Sequence, residues 1–266
     1  MKITSRQDIS IKNIAKLKMK KYRDREQKIL VEGYYPILFA YQNNYPLENL
    51  YICTNLLRSK FENKALIEKL TQRGVATREI TENVFEKISC SKSPEGLLAI
   101  APQRHTPIAQ HHPVKNGFYV VVESIEKPGN LGEIFRLADS AGAGGVIVCD
   151  VRADIFDPQV IRNSLGTFFS LNILEGSTPE AIAWCKAQGI KILATTPQAN
   201  TSYTEVDMKG PLAIIVGAEY AGLSVSWMQK ADVQIKIPMF GQAKSLSVTA
   251  STAIVLYEAL RQRAAG

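Results

Sequence analysis

The stretch IKIPMFGQAKSLSVTASTAIVLYEALRQR, residues 235–263, decides how this chain is read. It begins inside a short apolar strand, Val233 to Ile237, that Pro238 stops. A loop containing Gly241 follows, and then a long helical pattern. Ala250, Ala253, Ile254, Tyr257 and Leu260 recur three and four residues apart, which predicts one face of a helix. Lys244 to Ser247 therefore sit where a loop becomes a helix N-terminus. Such a turn offers unpaired backbone N–H groups and the positive end of the helix dipole. The plainest role for Ser245 or Ser247 is to cap that helix.

Upstream, the C-terminal half reads as buried strands alternating with helices. Phe118 to Val122 is wholly apolar, as strands inside parallel sheets are. Glu123 to Asp139 follows, with Gly129 and Gly132 expected in a strand-to-helix turn and Ile134, Leu137, Ala138 and Ala141 on one helix face. Val146 to Cys149 is the next strand. Asp157-Pro158 starts a helix as cap and first-turn proline. Phe168 to Ile173 is expected as a strand, and Thr178-Pro179-Glu180 opens a further helix ended by Gly189. Ile190 to Ala194 and Leu212 to Val216 are strands, ending at Thr195-Thr196 and at Gly217. A glycine at a strand end lets a ligand approach the backbone closely.

Residues 102–116, PQRHTPIAQHHPVKN, carry three prolines and little apolar pattern, and are expected to link two domains. Residues 1–101 alternate strands at Lys28–Val31, Leu50–Cys53, Val75–Thr77 and Leu97–Ala101 with helices at Ile37–Gln42, at Phe61–Gln72 and after Thr81. That order fits a small α/β domain. Glu32 and Gly33 read as turn residues. The division expected is 1–101, the linker 102–116, and 117–266.

Charge is informative by position. Residues 1–30 hold ten Lys or Arg against Asp8, Asp24 and Glu26, a balance of +7 equal to that of the whole chain, so the remainder is neutral. A concentrated basic arm is an electrostatic footprint for a polyanion. Lys16, Lys18, Lys20, Lys21, Arg23 and Arg25 are the candidate nucleic-acid contacts. Ile11, Ile14 and Leu17 form a short amphipathic helix inside the arm, too narrow an apolar face for a membrane surface. No apolar run reaches about 18 residues, and the Lys-rich N-terminus has no apolar signal region, so a cytoplasmic protein is expected. Cys53, Cys90, Cys149 and Cys185 are scattered without a CxxC pair and read as reduced thiols. His111-His112 stand in the linker without partner ligands and read as solvated, so no metal is expected.

Three stretches, PGNLGEIFRLADSAG (128–142), IIVGAEYAGLS (214–224) and IPMFGQAKSLSVTAS (237–251), stand in one order. They resemble the three motifs of the SpoU, or TrmH-type, branch of the SPOUT RNA methyltransferases. The first motif of that family has N-x-G followed by an arginine on a helix, the second G-x-E-x-x-G, the third a Pro-terminated strand, a Gly loop and S-L-N-V. The resemblance covers about 150 residues. Residues 1–101 resemble the L30e-like substrate-binding domain that many members carry. One position departs: the usual asparagine of the third motif is Ser247.

The resemblance implies an α/β fold whose C-terminal parallel sheet holds a deep trefoil knot, beside an N-terminal L30e-like α/β domain. Periodicity gives no hint of a knot, and knots are nearly absent from proteins, so it is expected on the motifs alone. The resemblance further implies S-adenosylmethionine bound at Thr195, Gly217, Ile237, Met239, Ser245 and Leu246, a homodimer through the knotted domain, and 2′-O-methylation of ribose, in 23S ribosomal RNA before transfer RNA. Arg136 is the expected main catalytic residue, with Asn130 orienting it or the substrate, Glu219 fixing the arginine or the loop, Ser245 on cofactor or phosphate, and Ser247 in the asparagine's place. A free guanidinium is essentially never deprotonated, so Arg136 is expected as a fork on an RNA phosphate and not as a base. For Ile237, Met239 and Leu246 plain core packing is the competing role, and for Arg136 a surface pair with Asp139.

Two other readings stay open. A non-catalytic RNA-binding or ribosome-assembly protein has Ser247 as its support, and methyl transfer to unmodified ribosomal RNA separates it. A nicotinamide-dependent oxidoreductase would explain a βαβ with an acid near residue 150, but the glycine pattern is not G-x-G-x-x-G, and calorimetry with each cofactor separates it.

Overall fold

A computed structural model describes residues 2–150, 152–218 and 220–264. The chain forms two units: Met1–Arg104 with Asp154–Ser170, and His105–Ala153 with Leu171–Gly266.

The first unit starts with α1 (Ile9–Lys16), capped by the Asp8 carboxylate, which accepts the amides of Ser10 at 2.8 Å and Ile11 at 3.4 Å. Then come α2 (Lys20–Glu26), β1 (Lys28–Glu32), α3 (Tyr34–Gln42), β2 (Asn49–Ile52), α4 (Lys60–Gln72), β3 (Ala76–Glu79), α5 (Glu82–Ile88) and β4 (Leu97–Pro102). The strands order as β1-β4-β2-β3, with β4 antiparallel to β1 and β2 and β2 parallel to β3. Ile11, Ile14 and Leu17 pack on Leu30, Tyr51, Leu98 and Ile100 together with Phe85 and Ile88 of α5, as the amphipathic spacing of the arm leads one to expect. Glu32 does more than turn the chain. Its buried carboxylate accepts the Ser89 hydroxyl at 2.5 Å and the Cys90 amide at 2.6 Å.

The second unit opens with β5 (Phe118–Glu123), α6 (Pro128–Ser140) and β6 (Gly145–Cys149). Gly129 and Gly132 lie inside the first turns of α6 and not before it, because Pro128 already takes the first helical position. The chain then supplies Asp154–Ser170, with α7 (Pro158–Asn163), to the first unit, so that unit is not continuous in sequence. There α7 packs on β1, and Phe169 meets the Tyr45 ring edge-on at 4.9 Å. Gly166 has φ +95°, and a Cβ on it would stand 2.8 Å from the Tyr35 carbonyl oxygen, so the closeness of this segment depends on glycine. Phe168 and Phe169 belong to a 3-10 turn, Thr167–Phe169, and not to the expected strand, which starts only at Ile173. A short apolar run reports burial without saying which element carries it.

The second unit continues with β7 (Ile173–Gly176), α8 (Thr178–Ala187), β8 (Lys191–Thr195), β9 (Thr201–Ser202), β10 (Leu212–Val216), α9 (Val225–Lys230), β11 (Val233–Lys236) and α10 (Val248–Ala264). Its seven strands run parallel in the order β7-β6-β5-β10-β8-β11-β9. Tyr119, Ile147, Trp184, Ile192, Ile215 and Trp227 fill one side of this sheet. Helix α6 packs on α10, on β6 and against the core through Leu131, Ile134, Phe135 and Ala138. His112 is exposed as expected, but His111 is half-buried. Its ring lies edge-on to Tyr119 with Nε2 3.2 Å from the tyrosine hydroxyl, and burial lowers its pKa.

Helix α10 departs from the periodicity. It buries Val248, Thr252, Val255, Leu256 and Ala259, whereas Ala250, Ala253, Ile254 and Leu260 are half-buried and Tyr257 is 51% exposed. The helix is apolar on two sides, so spacing alone does not identify the inner one.

Candidate active site

Three loops leave the carboxyl ends of neighbouring parallel strands: after β8 at Thr195, after β10 at Gly217, and after β11 at Ile237. Crevices outside such strand ends are where open α/β sheets bind ligands. The loops and the first turns of α10 enclose a cavity of about 500 Å³, within the usual size of a small-molecule site. Thr195, Gly217, Ile237, Met239, Ser245 and Leu246 all line it. So do Thr196 and Lys244, which the sequence placed only at a strand end and a loop, and Gln198, Leu223 and Lys236, whose ordinary loop and strand-end types give no single-sequence signal.

Local chemistry explains the shape. The Thr195 hydroxyl donates to the Ile215 carbonyl at 2.7 Å, and the Thr196 amide donates to the Ile235 carbonyl at 2.9 Å, which tie β8 to both neighbours beside the cavity. At Gly217 a Cβ would stand 2.3 Å from the Gly222 carbonyl oxygen, so only glycine lets the loop fold back on itself here. The Gly222 amide closes that loop on the Ala218 carbonyl at 2.9 Å.

A carboxylate that the sequence reading passes over holds the same loop from behind. Glu123, at the carboxyl end of β5, is buried and accepts the Ser224 amide at 2.7 Å and the Thr178 hydroxyl at 2.9 Å. An acid directly after the apolar run Phe118–Val122 was its only trace in the sequence.

Ser247 sits just before α10. Its hydroxyl oxygen accepts the Ala250 amide at 3.2 Å and its carbonyl accepts the Ser251 amide at 3.0 Å, the bonds of a helix cap. Ser245 lies two residues earlier, exposed on the cavity side. Asn130 is half-buried in the first turn of α6, and Arg136 is exposed two turns on, opposite the buried stripe of that helix. Neither lines the cavity, but their helix packs on α10, whose first turns do. Glu219 lies outside the described residues.

In the first unit Lys16, Lys20, Lys21 and Arg25 are exposed and Lys18 is half-buried. Arg23 departs from the expectation that it contacts RNA. It is 1% exposed, donates to the carbonyls of Leu17 and Lys18 at 2.9 and 2.8 Å, and pairs with Asp154 at 2.5 Å and Asp157 at 3.7 Å. A charge so enclosed stays with the carboxylates that compensate it.

The four cysteines are free thiols, and burial pushes Cys90 and Cys185 up to about 12. Among the described residues no group of three His, Cys, Asp or Glu is placed to hold a metal ion, and no helix is long and apolar enough to cross a membrane.

The profile of the SpoU rRNA methylase family matches residues 117–257, and that of the MRM3-like substrate binding domain matches residues 9–99. A 23S rRNA (uridine-2′-O)-methyltransferase of Streptomyces viridochromogenes is 30% identical over 92% of this chain and 86% of its own length. A crystal structure of an RNA 2′-O ribose methyltransferase is 39% identical, with a TM-score of 0.89 over 99% of this chain and 100% of the other. The AdoMet-bound rRNA methyltransferase from Sinorhizobium meliloti is 30% identical, with a TM-score of 0.88 over 98% of this chain and 97% of its own.

Proposed function

Since the chain belongs to the SpoU rRNA methylase family, we propose that it methylates a ribose 2′-hydroxyl of 23S ribosomal RNA. It is an S-adenosylmethionine-dependent RNA 2′-O-methyltransferase with a parallel SPOUT sheet and an N-terminal substrate-binding domain. The observation that carries the reading is the convergence of Thr195, Gly217, Ile237, Met239, Ser245 and Leu246, from three separate stretches, on one cavity.

The residues present fit the cofactor. Apolar side chains at Ile237, Met239 and Leu246 suit a flat base, and the glycine at 217 lets backbone approach the ligand. S-adenosylmethionine supplies a methyl group on a sulfonium, electrophilic enough for direct transfer to an alcohol oxygen. The chain must hold that methyl towards the RNA, bring the 2′-oxygen in line with it, and let the hydroxyl proton pass to solvent water as the sulfonium leaves as a neutral thioether. Arg136, exposed on α6, forks onto the RNA phosphate, aligns the ribose and stabilises negative charge as it grows on the 2′-oxygen. It does not take the proton, since a guanidinium stays charged. Asn130 orients Arg136 or the phosphate, Glu219 steadies the arginine or the loop, and Ser245 binds cofactor or phosphate beside the N-terminus of α10. Lys16, Lys18, Lys20, Lys21 and Arg25 draw in the RNA.

The half-exposed apolar face of α10, with Ile254, Tyr257 and Leu260, supports a homodimer through the second unit, which would cover it. A trefoil knot in the loops around the cavity and a cytoplasmic location complete the proposal. Tritiated methyl transfer from S-adenosylmethionine tests it. Label is expected in unmodified 23S ribosomal RNA and not in transfer RNA. Label in transfer RNA alone would change the substrate, and none in either would return the non-catalytic RNA-binding reading.

A further inference from the structure

A second cavity, of about 320 Å³, lies in the first unit between α1, α2 and the sheet edge. Its floor is apolar, made by Ile14, Leu17 and Ile100. Its rim is polar and basic, with Asn13 and Lys16 on α1, Arg25 on α2 and Lys28 at the start of β1. Tyr22 stands in the wall, half-buried, and gathers three cations: Arg25 at 4.9 Å, Lys21 at 5.0 Å and Lys16 at 5.9 Å from its ring centre.

We propose that this cavity is a nucleotide pocket, which takes one unpaired base of the RNA substrate on the floor beside Tyr22 and its phosphate on the cations of the rim. The inference rests on the RNA-methylating role proposed above and assigns the substrate domain a base-reading site of its own. Three properties carry it. The volume lies at the lower end of ligand-sized cavities, enough for a single nucleotide. The combination of apolar floor, aromatic wall and basic rim matches the three parts of a nucleotide, and sequence-specific RNA recognition works on unpaired bases placed against such rings.

The rim cations are also available. Arg25 pairs with Glu26 and Lys28 with Glu48, each at 2.7 Å, but the first pair is exposed and the second open to solvent by more than a third, and such pairs are weak enough for a phosphate to displace. Lys16 donates to the Asn13 side-chain oxygen at a long 3.3 Å and otherwise lies over the Tyr22 ring. The Asn13 amide and the Glu26 carboxylate, both on the rim, supply donors and an acceptor for a base edge.

The test sets two lysine variants of equal charge against each other and adds an uncharged change in the pocket. Lys16 and Lys12 are both exposed on α1, and only Lys16 lines the cavity. Lys16→Gln and Asn13→Leu, in the full chain, are expected to weaken binding of unmodified 23S ribosomal RNA about tenfold, the loss of roughly one stacked base. Lys12→Gln should stay within about threefold, the loss of one long-range charge. Affinity for S-adenosylmethionine should not change in any of them. Equal losses in Lys16→Gln and Lys12→Gln would overturn the pocket and leave a diffuse electrostatic arm. In a second arm, nuclear magnetic resonance should show the Asn13 and Tyr22 signals shifting with nucleoside 5′-monophosphates. Equal shifts with inorganic phosphate alone would reduce the site to an anion site and overturn base recognition. This arm needs no methyl transfer, so it decides the pocket even if the chain methylates no RNA.

Discussion

Ser247 and Arg136 are the two residues whose roles the catalytic reading depends on most. On sequence alone, a serine in place of the family's asparagine has a shorter reach, which implies an active but slower enzyme that an asparagine would speed up. The bond from the Ala250 amide to the Ser247 hydroxyl changes that expectation. Serine and asparagine are near equals as helix caps. Ser247→Asn should therefore leave the single-turnover rate within roughly threefold, whereas Ser247→Ala should cost about 1 kcal/mol of stability, read by chemical denaturation. A tenfold faster asparagine variant would restore a direct role for this side chain. For Arg136, replacement by alanine should lower the single-turnover rate about 10²–10³-fold with cofactor affinity, measured by calorimetry, within a few-fold. Arg136→Lys should not recover the rate, because an ammonium cannot make the bidentate fork. Full recovery in the lysine variant would reduce Arg136 to a steering charge.

At the scale of the element, the basic arm is two helices with different duties. The surface lysines of α1, α2 and the turn between them serve the solvent side, while Arg23 on α2 turns inward to Asp154 and Asp157. The two groups should separate in experiment. Charge reversal of Lys16, Lys18, Lys20 and Lys21 should flatten the salt dependence of RNA binding by as much as about 3 in log–log slope, because up to four phosphate contacts are lost. Thermal stability should hardly move. Arg23→Ala should do the opposite, lowering stability by about 3 kcal/mol because the largely enclosed Asp154 loses its cation, while Asp157 keeps access to solvent. If Arg23→Ala instead weakens RNA binding in a stably folded protein, the inward assignment is wrong.

The whole molecule adds two features that no single element contains. One is the route of the chain: Asp154–Ser170 leaves the parallel-sheet unit after β6 to complete the core of the other, then returns at β7. The other is what covers the half-exposed outer side of α10, with Ile254, Tyr257 and Leu260, once the rest of the unit has packed on its inner side. If the proposed homodimer forms through this face, Ile254→Asp combined with Tyr257→Asp should shift sedimentation from dimer to monomer at micromolar concentration while circular dichroism stays unchanged. A dimer that survives both charges places the interface elsewhere.

Much of this protein was legible in the order of its residues. Strand and helix alternation located most strands of both sheets, because apolar runs bounded by Gly and Pro identify buried strands by local rules, whereas β7 was placed too early and the two-residue β9 left no apolar run to find. The three motif stretches identified the methyltransferase, because the loops they encode must each have particular residues at strand ends. The tertiary structure alone decided which neighbours those residues meet. It turned Arg23 inward, since a carboxylate 131 positions away is invisible to any local window. It placed Glu123 behind the loop that follows β10 through Ser224, and it chose the inner face of α10, which two apolar stripes leave undetermined. Burial and charge compensation are properties of positions in space, and sequence spacing encodes them only within one element.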